Sequence, residues 1–394
     1  MFEVLNPPPA DKIIALMELY AADPRTDKVD LGVGVYRDSE GNTPVMRAVK
    51  RAEERLWQVQ TTKAYVGLLG DRDFVAAMRE LALGDAVPAE RVAGAQTPGG
   101  TGAVRQLLEL IRRARPEATV WYSDPTWPNH PAIIEHVGLK GRTYRYFDAE
   151  TRGVDLAGMR ADLGGVAPGD VVLLHGCCHN PTGASLADED WGSLTEFLGE
   201  RGAVPMIDLA YQGFGDGLEA DVRGMRAMIA ALPEALIAAS CSKNFGLYRE
   251  RVGAAFVVAA DPEVAKVTSG NLAALNRVNF SFPPDHGAKL VAMILREPDL
   301  RTEWEAELAE MRERMLGLRQ GLAEALRRET NSDRFDFVQD HRGMFSRLGL
   351  APEKVEALRA EHGIYMIGDS RINVAGLPED GLDRLARALV SVGI

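Results

Sequence analysis

Ala235-Leu-Ile-Ala-Ala-Ser-Cys-Ser-Lys-Asn244 runs from five apolar residues straight into a cluster of serine, lysine and asparagine. A run this short, without three- and four-residue spacing and bounded by polar side chains, reads as a buried strand delivering Lys243 to a loop. Similar runs recur at 91–96, 119–123, 171–176, 203–208 and 254–259. Between them, 102–115, 188–201 and 220–232 carry apolar residues at helical spacing. Strands alternating with helices predict an α/β fold, a mostly parallel sheet covered by helices.

Downstream the pattern changes. Residues 303–329 form one charged, periodic segment rich in Glu, Leu, Ala and Arg, which predicts a long helix. Short pieces follow at 335–338, 345–348, 352–362 and 371–373, then a last helix over 378–392. At the other end, a helix over 10–21 sits among Pro- and Gly-rich extended stretches that can pack against these pieces. The expected division is a large domain over 44–310 and a smaller α+β domain built from 1–43 and 311–394.

The chain has 394 residues, 46% hydrophobic and 26% charged, enough apolar material for a core without disulfide staples. Its net charge of −12 argues against a nucleic-acid partner. No run approaches a membrane span: 252–260 is too short, and 227–239 is interrupted by Pro233 and Glu234. The start lacks the basic patch and apolar stretch of a secretory signal, so a cytoplasmic location is expected. Cys177, Cys178 and Cys241 cannot build a disulfide framework and are expected as thiols. His175-Gly-Cys-Cys-His179 is crowded with potential ligands, but zinc sites space theirs by two to four residues and need a second pair, so no metal is predicted.

Polar clusters stand where the candidate strands end: Ser123 to Asn129, His179-Asn-Pro-Thr-Gly, Asp208-Leu-Ala-Tyr and Ser240-Cys-Ser-Lys-Asn. In a parallel sheet the carboxyl ends of strands share one edge, so these loops are expected to converge on one crevice. A lysine held there loses hydration, its pKa falls, and its amine becomes a nucleophile or Schiff-base partner, although an arbitrary loop lysine is usually just solvated. Asp208 could hold a protonated pyridine nitrogen, with Tyr211 three residues on, or could simply cap a helix. Gly99-Gly-Thr-Gly-Ala precedes a candidate helix and could place amides around a phosphate, with a plain helix-entry turn as the equal alternative.

Taken together, six stretches closely resemble the aspartate and aromatic aminotransferases, enzymes of fold type I that depend on pyridoxal 5′-phosphate (PLP). They are Leu31-Gly-Val-Gly-Val-Tyr-Arg-Asp, Asp124-Pro-Thr-Trp-Pro-Asn-His, Cys178-His-Asn-Pro-Thr-Gly, Asp208-Leu-Ala-Tyr-Gln-Gly-Phe, Ser240-Cys-Ser-Lys-Asn-Phe-Gly-Leu-Tyr-Arg-Glu-Arg-Val-Gly and Arg371-Ile-Asn-Val-Ala-Gly-Leu. The resemblance spans nearly the whole chain in the family's order. It implies that Lys243 bonds covalently to the cofactor and then moves the proton between the substrate Cα and the cofactor, and that Asp208 pairs with the pyridine nitrogen. Tyr211 and Asn180 match partners of the cofactor's phenolic oxygen, and Trp127 matches the indole stacked on its ring. Gly100, Thr101, Ser240 and Arg251 match the phosphate cradle. Tyr65 matches a tyrosine that reaches the phosphate across a dimer interface, so a homodimer is expected.

For the substrate, the resemblance assigns Arg371 to the α-carboxylate, aided by Asn180 and the backbone near Gly34, where a planar fork suits a planar anion. Arg277 aligns with an arginine from the second subunit that binds a distal carboxylate. Phe282 and Ala64 stand where aspartate-selective members tend to carry Asn, and an apolar wall favours aromatic side chains. The expected reaction is ping-pong transfer of an amino group between aromatic or acidic amino acids and 2-oxoglutarate. An aspartate-selective enzyme, or a β-lyase on the same scaffold, is the alternative.

Overall fold

The computed structural model describes residues 1–7 and 11–394. Ala10, with which the sequence begins the first helix, lies outside the described residues. The helix there runs Lys12–Ala22, and its N-cap Asp11 accepts hydrogen bonds from the amides of Ile13 and Ile14.

A seven-stranded sheet forms the centre. Its strands are β1 (Val92–Pro98), β2 (Thr119–Asp124), β3 (Lys140–Arg145), β4 (Val171–His175), β5 (Val204–Leu209), β6 (Ala235–Ser240) and β7 (Val252–Val258), in the order β1-β7-β6-β5-β4-β2-β3. β7 runs antiparallel to both its neighbours, and every other pairing is parallel. β4, β6 and β7 are buried at every position, the pattern of strands covered on both faces. Six strands lie within two residues of the runs expected from sequence. β3 was not anticipated, for a physical reason: it is an edge strand whose residues are solvated except Tyr144, so it has no apolar run. Tyr144 reaches inward, and its hydroxyl donates to the Leu173 carbonyl at 2.7 Å.

Helix α1 (Gly99–Ala114) begins before 102, a start hidden in the sequence because its first turn, Gly99-Gly-Thr-Gly102, is mostly glycine of low helical propensity. The 188–201 helix appears as expected, whereas 220–232 divides into a 3₁₀ turn, Ala220–Val222, and a helix, Arg223–Ala231. The long helix α2 runs Pro298–Thr330, with the proline in its first turn, where a missing N–H costs nothing. Beyond it, Phe345–Arg347 pairs antiparallel with Arg371–Asn373, and Val29–Asp30 pairs parallel with Ile364–Tyr365. The last helix is shorter than expected, Leu382–Ser391. Leu31 shares an apolar cluster with Leu322, Leu326, Leu358, Ile372 and Leu389, apart from the clusters that cover the sheet.

The carboxyl ends of β1, β2, β4, β5 and β6 emerge at one edge, and the reversed β7 starts there. The topology therefore gathers Gly100, Trp127, Asn180 and Asp208 from the ends of four strands, and Lys243 and Arg251 from the one loop between β6 and β7.

Candidate active site

A cavity of about 240 Å³ opens at this edge. Gly34, Gly100, Thr101, Trp127, Asn180, Asp208, Tyr211, Ser240, Lys243 and Arg251 all line it, so ten of the residues singled out in the sequence meet at one place. Ser242, Tyr248 and His175 line it as well.

Lys243 sits three residues past β6, with its Nζ 5.0 Å from the centroid of the Tyr211 ring. Burial pulls its pKa below the ordinary lysine value, Asp208 opposes that pull, and the Arg251 charge adds to it. Asp208, beside His175 in register across β4 and β5, is buried. Burial works against its ionised form, but the hydrogen bond from His130 and the neighbouring positive charges outweigh it, so its pKa lies below the ordinary carboxylate value. His130 Nε2 stands 3.0 Å from Asp208 Oδ2, and Thr126 Oγ1 stands 2.8 Å from His130 Nδ1. Nε2 therefore donates to the carboxylate, while Nδ1 pairs with the threonine hydroxyl and fixes the ring's orientation. Trp127 meets the same ring edge-on at 5.2 Å. Burial drives His175 down to about 3, so it is neutral, and neither of its ring nitrogens has a protein partner.

Gly99 and Gly100 bring the backbone at the start of α1 close to Ser240 and Arg251. A Cβ on Gly100 would lie 2.8 Å from Ser240 Cβ, and one on Gly99 would lie 2.6 Å from an Arg251 terminal nitrogen. The hydroxyls of Thr101, Ser240 and Ser242, the Arg251 guanidinium and the free amides of the first turn of α1 converge there, a geometry suited to an anion. Arg251 is steadied by the Tyr248 carbonyl at 2.9 Å and Ser242 Oγ at 3.4 Å.

Arg371 adjoins this cavity through Asn180. Its NH1 donates to Asn180 Oδ1 at 3.4 Å and its NH2 to the Gly32 carbonyl at 2.7 Å, while its Nε is buried without a partner. Asn180 Nδ2 lies 3.5 Å from the Tyr211 hydroxyl. Burial, with Asp208 nearby, pushes the Tyr211 phenol well above its ordinary pKa.

Tyr65 and Arg277 lie elsewhere. They line a separate surface cavity of about 510 Å³ with Ala64 and Phe282. Tyr65 stacks on Phe282 at 4.7 Å while remaining 84% exposed, and the Arg277 guanidinium lies 5.7 Å from the same ring.

Sequence reasoning gave no role to His130, Ser242 or Tyr248, although all three fall within the stretches that carry the resemblance. His130 stands six residues after Asp124, and only the folded chain brings it to Asp208. The structure also adds Asp221 to Cys177 and Cys178 as a possible ligand, its donor atom within 4.8 Å of theirs. Its carboxylate already accepts from the amides of Gly213, Gly215 and Asp216, and both thiols are shifted upward, with Cys177 well above its ordinary pKa.

Fold and site together describe an enzyme built around a buried lysine, a carboxylate and an anion cradle. The family described as Aminotransferase class I and II matches residues 26–389. An aromatic-amino-acid aminotransferase of Paracoccus denitrificans is 56% identical over 390 residues, covering 99% of both chains. An aspartate aminotransferase of Salmonella typhi is 44% identical, with 100% of both chains covered. The solved structure of an aromatic-amino-acid aminotransferase from Burkholderia pseudomallei, covalently bound to pyridoxal phosphate, superposes with a TM-score of 0.97 at 41% identity, covering 100% of this chain and 99% of that one. The chain belongs to the class I and II aminotransferases, and its activity is that of a transaminase.

Proposed function

We propose that the protein uses PLP to move the amino group between aromatic or acidic L-amino acids (Phe, Tyr, Trp, Asp) and 2-oxoglutarate by a ping-pong mechanism. The observation that carries this reading is the placement of Lys243 between an ionised carboxylate, Asp208, and an anion cradle. The residues fit the cofactor. The glycines let the first-turn amides approach Ser240 and Arg251, where a Cβ would collide with both, so amides, hydroxyls and a guanidinium converge as a phosphate needs, and Asp208 offers a negative charge to a ring nitrogen. PLP, once bound, acts as an electron sink for the bond broken at the substrate Cα.

The chain's own residues do the rest. Asp208, held by His130, keeps a positive charge stable at the far side of the cavity. Lys243 Nζ, its pKa lowered, takes the proton from the substrate Cα and returns it on the other side of the reaction. Gly100, Thr101, Ser240 and Arg251 hold the phosphate while the lysine is free to move. Arg371 offers its unpartnered Nε and its fork to the α-carboxylate, with Asn180 and the Gly34 backbone beside it. Trp127 covers one face and limits water.

A homodimer completes this reading. Tyr65 and Trp57 stand on the surface, 84% and 82% exposed, where a second copy would receive them, so that Tyr65 reaches its phosphate and Arg277 its distal carboxylate. Phe282 beside Tyr65 and the identity to an aromatic-amino-acid aminotransferase favour aromatic donors, while Arg277 and the aspartate aminotransferase relative keep acidic ones in range. An aspartate-selective enzyme or a β-lyase on the same scaffold is the competing reading. The separate apolar cluster around Leu31, Leu322 and Leu389 supports a small domain from 1–43 and 311–394 beside a large one over 44–310, with Tyr36, Met315 and Phe345 packing across onto the large domain's cluster. No helix among the described residues is long and apolar enough to cross a membrane, in keeping with a cytoplasmic location.

The test is the absorption spectrum of the purified protein with PLP. A visible band should be lost on adding phenylalanine, tyrosine or aspartate and restored by 2-oxoglutarate, and the donor titrations rank the substrates. Absence of any band with PLP would end this reading, and loss of the band without its return would favour the lyase.

A further inference from the structure

Arg319, on α2, is fully buried and faces no carboxylate. Its donors are spent on one short stretch of chain. NH1 donates to the Val338 carbonyl at 3.0 Å and to Ser346 Oγ at 2.7 Å, and NH2 donates to the carbonyls of Gly343 and Phe345, both at 2.7 Å. Nε adds a bond to Gly343 at 3.2 Å. Burial draws its pKa down to about 9, so the charge is retained at neutral pH at a desolvation cost that a methionine of similar length would avoid. Such a group needs a reason to be there.

The stretch it gathers is wedged between Asn180 and Arg371, the two halves of the proposed carboxylate grip. On one side, the Arg342 amide donates to the Gly183 carbonyl at 2.9 Å, and a Cβ on Gly343 would overlap Cys178, so the segment is keyed into the loop that carries Asn180. On the other side, the Phe345 ring lies 4.5 Å from the Arg371 guanidinium and edge-on to Tyr211 at 6.2 Å. A Cβ on Gly34 would come within 2.9 Å of Phe345 Cζ. Phe345 thus forms the surface on which Arg371 lies, and the carbonyl of Phe345 is held by Arg319.

We infer that Arg319 is a positioning residue for substrate binding: it folds the 338–346 segment around its guanidinium and so sets Phe345, and through it Arg371, in the plane that receives a carboxylate. This rests on the reading of Arg371 as the carboxylate grip. Lysine cannot substitute, because three donors on a point charge cannot serve carbonyls spread around a planar fork.

The test uses the PLP-loaded enzyme in single-turnover half-reactions, reading the half-saturating donor concentration, the limiting rate and the cofactor band. Arg319→Lys and Phe345→Leu should each raise half-saturation on the order of tenfold, the scale of a small misplacement, with the band intact and the limiting rate nearly unchanged. The double variant should be no worse than the poorer single one, since both act through the same ring. If Arg319→Lys does not fold, Ser346→Ala, which removes one anchor, should raise half-saturation by a smaller factor. Lower melting temperature with unchanged half-saturation in whichever of these two variants folds would overturn the inference and leave a structural clamp. Arg371→Lys separates the two readings: if it leaves half-saturation unchanged, the carboxylate assignment itself has failed.

Discussion

His130 Nε2 lies 3.0 Å from Asp208 Oδ2, and the other ring nitrogen is taken by Thr126, so the carboxylate that faces Lys243 has a fixed donor behind it. Removing that donor takes away the hydrogen bond that does most to offset burial, so the Asp208 pKa must rise. His130→Leu should lower kcat/KM by about tenfold to a hundredfold, the scale of one hydrogen bond to a charged group. Unchanged kcat/KM across the pH range would show that Asp208 does not need the histidine.

The buried histidines predict acid sensitivity. Burial lowers His175 to about 3, His341 to about 4 and His179 well below its ordinary 6.5. Each is neutral when folded and takes up a proton on unfolding once the pH is below 6.5. Stability is therefore complete above that pH and falls as the pH drops toward 4. Near pH 5 three protons correspond to a slope of about 4 kcal/mol per pH unit. Urea unfolding of the protein at pH 7, 6 and 5 measures the slope, and His341→Gln should reduce it by about one proton. A flat profile would mean that these rings are hydrated in the native state.

Gly100→Ala places a Cβ 2.8 Å from Ser240 Cβ, inside the anion cradle. PLP affinity should drop by about tenfold or more, because charge-assisted bonds to the phosphate lengthen together. Titration of the cofactor-free protein, followed by absorbance, checks this, and a retained affinity would place the phosphate elsewhere.

Exposed Arg277 and Tyr65 predict complementation between subunits. Lys243→Ala and Arg277→Ala proteins, each poor with a dicarboxylate donor, should regain about a quarter of the wild-type sites when their subunits are exchanged in equal amounts. The hybrid dimer has one site with both native residues. If exchange occurs and activity does not return, Arg277 serves its own chain or none.

Much of this architecture is legible in sequence, because five of the sheet's strands deliver functional groups at their carboxyl ends and their buried cores are short apolar runs. The sheet edge was not, because Lys140–Arg145 is solvated and reads as loop. Lys243, Asp208, Asn180 and Arg251 could be singled out by the stretches around them. His130 and Arg319 could not: the histidine's decisive bond reaches Asp208, 78 residues on, and the arginine's go mostly to carbonyls, which leave no trace in side-chain spacing. Arg319 in particular looks like one more cation in a charged helix.

The reversed direction of β7 has a consequence for how the chain tolerates change. Because β6 ends and β7 begins at the same sheet edge, residues 241–251 form a loop with both ends fixed by neighbouring strands, Ser240 opposite Gly253 in register. Lys243 and Arg251, which line the same cavity, ride on that single loop. An inserted or deleted residue there would displace both together, whereas the solvated edge at β3 could lengthen freely. Among homologous chains, length variation should accumulate at 138–155 and be nearly absent between 240 and 252.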